Sequence, residues 1–401
     1  MRIRYYIDGA VSAARRRLLK SPPTSSGTYQ REDADEAPVK VLSRRAGDCV
    51  RCLALGSWIL TCLVGCSLPT GRVPAKASGS AAPNTNELTW APPRCVNAER
   101  RCIDLYLRNT GSNQTPVLDS NTDYRIHLPT SRPLVGGITI TGGHNVQIIG
   151  GEIDLTYPCS NDGSDCMGIY IAKKSPGAVF VEGVWIHNPA HIGRTCPGGA
   201  SSTSQTCSSG DGIDINTTAD GVINVNTITL ENIRIDGISG CSGYADHSDV
   251  FQPYQAPDDT IRIDRMTGVT NCQGFMLDPD LAYSVWHTFP SSIIIQHTNT
   301  DVTFNPYPDK GSGYTWWLTH GCKSGPLSLS DDYAGGPPTD PTQASIWPDP
   351  NGHICGARYS GGAVSWTDVR IKGLVRLGTP PGGDFVPLGA AGRGYRSPGY
   401  R

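Results

Sequence analysis

The chain has 401 residues, a formal net charge of −2 at pH 7, and only 17% charged residues. Glycine and proline are abundant, whereas methionine and phenylalanine are scarce. This composition favours many short strands joined by turns and argues against a helical bundle. The near-neutral charge gives no electrostatic reason to expect a nucleic-acid partner.

Four segments outside the main domain follow from composition. Residues 1–48 are polar and Arg-rich, which predicts a disordered extension or a start placed too far upstream. We interpret residues 49–66 as a signal peptide, because the apolar run at 53–65 is too short to span a bilayer of ~30 Å. Residues 67–92 read as a flexible linker and 381–401 as a disordered tail, which leaves 93–380 for the folded domain.

The signal segment ends in Leu-Val-Gly-Cys, which is similar to a bacterial lipobox with Cys66 as the lipid-modified residue. We therefore expect an extracellular or cell-surface lipoprotein that contacts a membrane only through its lipid anchor. Ordinary secretion, an uncleaved signal anchor and a buried helix of the main domain are the alternatives.

Ten cysteines follow Cys66 and fall into neighbouring pairs. Their even number and local spacing predict disulfides that staple loops in an oxidising compartment, although spacing alone leaves the connectivity open. Zinc would need CxxC-type clusters with nearby histidine, and none follows residue 66, so we predict no metal site. The cysteines are Cys95 and Cys102, Cys159 and Cys166, Cys196 and Cys207, Cys241 and Cys272, and Cys322 and Cys355.

From about residue 134 the chain repeats short blocks in which apolar and polar residues alternate. VFVEGVWI (179–186), ITLENIRI (228–235) and VSWTDVRI (364–371) share one pattern. A third strand type precedes several blocks, as GIYI (168–171), GIDI (212–215), VFQP (250–253) and GFML (274–277). Each block is too short to bury its own apolar face, so successive blocks must stack. Three short strands per repeat predict an all-β parallel β-helix rather than a jelly roll or a propeller.

Over roughly 134–377 this pattern resembles the right-handed parallel β-helix proteins of the pectin-lyase-like superfamily. That superfamily consists largely of secreted polysaccharide lyases, glycoside hydrolases and phage tailspikes, with some non-enzymatic surface proteins. The resemblance implies a single-stranded, right-handed, three-sheet solenoid with disulfide-stapled loops, and a polysaccharide or oligosaccharide as partner. A shared fold does not by itself identify the activity.

Alignment of the strand starts predicts which side chains share a face. One set, Ile169, Ile213, Phe251 and Phe275, should point into the core. The next residues, Tyr170, Asp214, Gln252 and Met276, should form one outward column, because neighbouring side chains on a strand face opposite sides. The residues before each strand should line its corner, namely Met167, Asp211, Asp249 and Gln273. With strands ~4.8 Å apart, we expect Asp211, Asp214, Asp249, His247 and Gln252 to converge on one patch.

Paired carboxylates of this kind suit hydrolysis of a glycosidic bond, which needs one protonated acid and one ionised carboxylate. The string SGDG before IDI resembles the Asn-Thr-Asp-Gly element of the polygalacturonase family, and this resemblance implies that Asp211 is catalytic. Asp249 lies where that family has an Asp-Asp pair, whereas Cys272-Gln273-Gly274 replaces its Gly-His-Gly. The predicted catalytic residues are Asp211, Asp214, Asp249 and His247.

Two alternatives stay open, and no cofactor is required for hydrolysis. A polysaccharide lyase would need a basic residue as proton acceptor, and the acids would then hold Ca²⁺ through oxygen ligands. A non-catalytic glycan-binding or surface-adhesion module would use the acids to cap turns. The predicted substrate-binding residues are Gln252, Tyr170, Trp316, Trp317, Lys173 and Arg262.

Overall fold

The computed structural model describes most of the chain from residue 87 onward. The described ranges are 87–95, 101–156, 167–188, 210–217, 226–238, 248–256, 259–270, 273–277, 290–302, 315–318, 326–335, 346–347 and 356–400. They all lie in one compact unit, Ser78–Arg401. These ranges hold strands and turns without an α-helix, and accordingly no helix in them could cross a bilayer.

The described ranges form β-strands that are mostly short. They are β1 (Cys102–Tyr106), β2 (Asp123–His127), β3 (Leu134–Val135), β4 (Ile138–Ile140), β5 (Asn145–Ile149), β6 (Glu152–Asp154), β7 (Ile169–Ile171), β8 (Gly177–Glu182), β9 (Trp185–His187), β10 (Ile213–Asn216), β11 (Asn226–Ile238), β12 (Asp249–Gln255), β13 (Thr260–Thr270), β14 (Gln273–Leu277), β15 (Ser292–Val302), β16 (Trp316–Leu318), β17 (Leu327–Ser330), β18 (Asp332–Gly335), β19 (Ile346–Trp347), β20 (Ala357–Ser360), β21 (Ala363–Trp366), β22 (Ile371–Lys372) and β23 (Leu374–Leu377).

The strands form two sheets, and most neighbours in them are parallel. The larger sheet has sixteen described strands, with β1, β2, β5, β8, β11, β13, β15 and β18 as successive neighbours. The smaller sheet has seven, in the order β19, β16, β14, β12, β10, β7, β4. Antiparallel pairing is confined to β20, β21 and β23 at the end of the larger sheet. The all-β prediction is therefore confirmed.

The register of the smaller sheet agrees with the predicted alignment of strand starts. Ile213 of β10 pairs with Ile169 of β7 and with Phe251 of β12, and Phe251 pairs with Phe275 of β14. All four side chains are fully buried in the core. The prediction that they point inward is thus confirmed, and burial of each such side chain contributes roughly 1.5–3 kcal/mol.

The longest strands of the larger sheet bend at one repeated position. Asn232, Arg265 and His297 adopt positive φ values of 54°, 57° and 52° in β11, β13 and β15. The residues on both sides of each bend remain paired with the next strand. The sequence pattern predicts three sheets, whereas the backbone hydrogen bonds define two. The two apolar segments of each repeat block were expected in separate sheets, but they belong to one bent strand and therefore to one sheet.

The core lies where side chains of the two sheets meet. A Cβ atom on Gly212 would lie 2.6 Å from the carbonyl oxygen of Val250 and 2.8 Å from Cγ2 of Ile235. Both distances are below any ordinary contact, so glycine is needed where the chain enters β10. The apolar residues of both sheets form one continuous buried cluster.

Both terminal segments of the described chain differ from the sequence-based expectation. Leu88 lies within the predicted flexible linker, yet it is fully buried and forms a bridge with Tyr400. Val386 lies within the predicted disordered tail, yet it is fully buried and its carbonyl accepts a hydrogen bond from Arg234. Disorder was predicted because both segments are polar and rich in Gly and Pro. In the structure both segments are instead held in place by contacts with other parts of the chain.

These segments cover a ladder of acids on the larger sheet, which we call the acid ladder: Glu182, Glu231 and Asp264. The three residues are direct neighbours in register and are almost completely buried. Both carboxylate oxygens of Glu182 accept hydrogen bonds, from the hydroxyls of Tyr395 and Tyr400.

The N-terminal segment contacts the other two acids of the ladder. The backbone N–H of Trp90 donates to Glu231 at 2.9 Å, and the Thr89 hydroxyl donates to Asp264 at 2.6 Å. His297 contacts the second oxygen of Asp264 at 2.7 Å. Every acid of the ladder is therefore hydrogen-bonded to groups that lie far away in sequence or on a neighbouring strand.

Candidate functional site

The structure brings together the three predicted catalytic aspartates, which we call the acid cluster. Asp211 lies two residues before the start of β10, Asp214 lies within β10, and Asp249 begins the adjacent strand β12. The backbone N–H of Asp249 donates to Oδ1 of Asp211 at 2.8 Å. Their exposed fractions are 7%, 4% and 0%, so none of the three carboxyls lies in an open groove.

Burial dominates the electrostatics of the acid cluster. It raises the pKa of Asp211 to about 7, against an ordinary value of 3.8. Burial and then the neighbouring Asp211 raise the pKa of Asp214 well above its usual range. The same two causes, followed by Asp214, raise the pKa of Asp249. Because the carboxyls repel one another when ionised, ionisation of one of them makes ionisation of its neighbours less favourable.

Part of the acid cluster has no hydrogen-bond partner. Within the described ranges neither oxygen of Asp249 is bonded, and Oδ1 of Asp214 is unbonded as well. Gln273 pairs in register with Asp249, and its side-chain oxygen and nitrogen also lack partners there. Each buried polar group left unpaired costs about 1–3 kcal/mol, so the arrangement calls for an explanation such as a bound ligand.

The register of the predicted outward column is found around Asp214, but two of its four members, Asp214 and Met276, are buried. Asp214 pairs in register with Tyr170 on one side and with Gln252 on the other. Tyr170 and Gln252 are both partly exposed, whereas Asp214 is buried. These two side chains therefore lie where a ligand that reaches Asp214 from the sheet surface would contact them.

Lys173 is wrongly predicted as a substrate-binding residue. Its side chain is fully buried, and Nζ donates to the backbone oxygen of Ser175 and, at 3.3 Å, to its hydroxyl. Burial lowers the pKa of Lys173 to about 8, partly opposed by the charge of Asp259. Lys173 lies two residues beyond Ile171, the last residue of β7, and therefore continues the inward side of that strand; its charge and not its position suggested substrate binding.

Trp316 and Arg262 are also misplaced by the prediction. Trp316 is fully buried, and its ring stacks on Phe275 with centroids 4.7 Å apart. Trp316 is in register with the inward column, so it packs the core. Arg262 lies on β13 of the larger sheet, 5.8 Å from the ring of Trp90, and not in the column of Asp214.

Several predicted residues lie outside the described part of the chain. These are His247, Cys66, and the four cysteine pairs from Cys159 to Cys355. For Trp317 only the strand position in β16 is described, where it pairs with Trp347. The disulfide between Cys95 and Cys102 is present, which confirms that pair.

Sequence reasoning missed two features of the structure. Gln273 was placed at the correct corner but was not included among the site residues. The acid ladder was missed although its acids occupy equivalent positions in VFVEG, ITLEN and IRIDR. Recurrence of an acid before the bend was the signal that could have found it.

In the described ranges no group of three His, Cys, Asp or Glu side chains is arranged to hold a metal ion. The chain was compared with protein-family models, with curated proteins and with solved structures, and none of them matches. Arguments about function therefore rest on the geometry of the acid cluster.

Proposed function

We propose that this chain is an exported carbohydrate-active protein that hydrolyses glycosidic bonds in an extracellular polysaccharide through the paired carboxyls of Asp214 and Asp249. We further propose that its strands form one right-handed parallel β-helix with three strands per coil. Support comes from hydrogen bonds that join neighbouring repeats, between residues 32, 34 and 38 positions apart.

The observation that carries the proposal is that Asp249 has no hydrogen-bond partner for either oxygen while its pKa is strongly raised. A carboxyl whose pKa is raised holds its proton to higher pH than an exposed one, and a protonated carboxyl is what departure of a sugar oxygen requires. The backbone N–H of Asp249 is bonded to Asp211, which therefore acts as a positioning residue. Gln273 lies in register beside Asp249 and supplies an amide for a sugar hydroxyl.

Asp214 is the second carboxyl of the proposed pair. Once it is ionised, it can accept a proton from water or attack the sugar carbon directly, while Asp249 gives its proton to the leaving oxygen. Repulsion between the two carboxyls favours the state in which only one of them is charged. Tyr170 and Gln252, in register on both sides of Asp214, are placed to contact the sugar units of the bound chain.

One activity assay on the full chain tests this function. The protein is incubated with plant, algal and bacterial polysaccharides, and reducing ends are followed together with the ultraviolet absorbance of unsaturated products. We expect reducing ends without absorbance, and a loss of about 10²–10⁴-fold in rate for Asp249→Asn. Asp332→Asn is the matched control, since Asp332 is equally buried but lies on the larger sheet.

Two outcomes would contradict hydrolysis. Unsaturated products would indicate a lyase, whose proton acceptor would be a basic residue; of two basic residues predicted at the site, Lys173 is buried against Ser175 and Arg262 lies on the larger sheet, which disfavours this alternative. Full activity of Asp249→Asn would remove the proposed proton donor.

A glycan-binding module is the second candidate, and one observation favours it. Asp211 accepts a backbone N–H, and Asp214 accepts those of Tyr254 and Ile215, as turn-capping acids do. Binding of a polysaccharide without turnover across the panel would support this function.

Export is part of the proposal and rests on residues 49–66, which lie outside the described ranges. The disulfide between Cys95 and Cys102 supports it, because such bonds persist in oxidising compartments.

A further inference from the structure

A cavity of about 330 Å³ lies where the C-terminal segment meets the first strands of the larger sheet. It is remote in sequence from the acid cluster, which belongs to the smaller sheet. Its volume is in the range of small-molecule sites. The lining residues are Tyr106, Leu107, His127, Leu128, Pro129, Thr130, Ile149, Gly150, Gly151, Arg393, Tyr395 and Arg396.

One wall of the cavity is a flat aromatic surface. Tyr106 is 71% exposed, which is unusual for so large a ring. It stacks on His127 of the adjacent strand, with ring centroids 4.5 Å apart and planes 13° apart. Nε2 of His127 lies 2.8 Å from Oδ1 of Asp104, so the supporting ring is held in place. Ile149, 42% exposed, adds apolar surface to the cavity.

The other wall carries two arginines. Nε of Arg393 donates to Glu152 and its Nη1 donates to the backbone oxygen of Ser131 at 3.1 Å, which fixes the guanidinium at the cavity. Arg396 is exposed and donates to the backbone oxygen of Tyr395 at 3.1 Å. Within the described ranges it forms no ion pair with a carboxylate.

None of the twelve lining residues is Asp or Glu; Glu152 pairs with Arg393 from outside the lining, so Arg396 supplies the positive charge that no carboxylate of the described ranges neutralises. A guanidinium recognises carboxylate and sulfate oxygens through paired N–H donors. An exposed, rigid aromatic face offers a surface on which the apolar face of a ring can lie. The two walls together suit a ring that bears one negative charge.

We propose that this cavity binds an anionic sugar unit, with the ring against Tyr106 and the carboxylate or sulfate at Arg393 and Arg396. The assignment of a sugar rests on the proposed function, whereas the negative charge rests on the cavity alone. Such a site would hold a charged chain at a second place on the protein, away from the acid cluster.

Calorimetric titration of the full chain tests this site with trigalacturonate, a sulfated galactose trisaccharide and the neutral galactotriose. We expect at least one charged probe to bind, and the neutral probe to bind at least tenfold more weakly. The comparison of the two charged probes identifies the anion. Equal binding of charged and neutral probes, or no binding of either charged probe, would overturn the proposal.

Two variants of exposed residues locate the site. Arg396→Gln and Tyr106→Ala should each weaken binding of the charged probe about tenfold or more. Arg358→Gln on β20 is the control, because it removes the same charge from an exposed position that does not line the cavity. Unchanged binding in both cavity variants would overturn the proposal.

Asp249→Asn separates this site from the proposed hydrolysis. Binding of the charged probe should persist in this variant even if turnover is lost. If binding disappears with Asp249→Asn and persists with Arg396→Gln, the charged sugar occupies the acid cluster and the cavity proposal fails.

Discussion

The acid ladder and the acid cluster are both stacks of buried carboxyls on neighbouring parallel strands, yet their surroundings differ. In the ladder, Glu182 accepts two tyrosine hydroxyls from the C-terminal segment. In the cluster, Asp249 accepts no hydrogen bond within the described ranges. The same repeat geometry therefore produces one stack whose acids are bonded to covering segments and another that retains unbonded oxygens.

The difference shows that an acid recurring along a repeat does not by itself identify a functional site. Buried polar groups in folded proteins are nearly always hydrogen-bonded, so the exceptions carry the information. Glu231 has one unpaired oxygen, but its other oxygen accepts the N–H of Trp90. The acids of the ladder are hydrogen-bonded to the terminal segments and so hold these segments on the sheet. The acid cluster contains the carboxyl with both oxygens unbonded, which makes it the candidate site.

The largest expected effect comes from detaching the segment that covers the ladder. Arg234 bonds to Asp236 and Asp384 at 2.7 and 2.8 Å, and its side chain is only 10% exposed. Arg234→Met leaves these carboxylates without their partner, so we expect a loss of about 3–5 kcal/mol in the free energy of unfolding. Urea denaturation measures this loss.

Arg376→Met is the matched control for that experiment. Arg376 pairs with Asp331 at the surface, where the two side chains are 45% and 44% exposed. We expect a loss below about 1 kcal/mol, as for other exposed ion pairs. Equal losses in the two variants would mean that the C-terminal segment is not held through Arg234.

The pH dependence of stability should have opposite signs in the two stacks. Burial raises the pKa of Asp211 to about 7, so its contribution is complete below about pH 4 and is lost as the pH rises towards 7. Burial also acts to raise the pKa of Asp264, but the hydrogen bonds of His297 and Thr89 outweigh it and lower that pKa. The contribution of Asp264 is therefore present above its unfolded pKa and is lost in acid.

Asn substitutions isolate these contributions. Relative to the unmodified protein, Asp211→Asn should gain about 1–3 kcal/mol in stability between about pH 4.5 and about pH 7.5. Asp264→Asn should instead lose about 1–3 kcal/mol at neutral pH, and the loss should shrink as the pH falls below about 4. Urea denaturation at several pH values gives both curves, and parallel curves for the two variants would refute the contrast.

A single hydroxyl of the covering segment should contribute no more than these acids do. Tyr400→Phe removes one donor from Glu182 and leaves one buried oxygen unpaired, which should cost about 1–3 kcal/mol. Tyr359→Phe is the control, because Tyr359 is 39% exposed and lies on β20, away from the ladder. Thermal unfolding of both variants measures the difference, and no difference between them would mean that Glu182 does not need this partner.

Much of the strand arrangement was predictable from the chain because it depends on local alternation. Matching GIDI to GIYI and VFQP placed Asp214 between Tyr170 and Gln252, as the register shows. The close spacing of Cys95 and Cys102 likewise favoured their disulfide, since few residues separate them. Lys173 and Trp316 were misjudged because their side-chain chemistry suggested binding, although Lys173 follows the inward Ile171 by two residues and Trp316 is in register with the inward Phe275.

Local alternation and spacing were enough to predict the all-β class, the repeat, the inward column and the grouping of the three aspartates. Which buried acids are hydrogen-bonded and which are not depends on how distant segments pack. The reason is physical: the partners of Glu182 lie 213 and 218 positions away, and that of Glu152 lies 241 away. A local sequence pattern cannot predict contacts between residues so far apart in the chain. The burial that shifts the pKa of each acid likewise arises only when distant segments pack against the sheet.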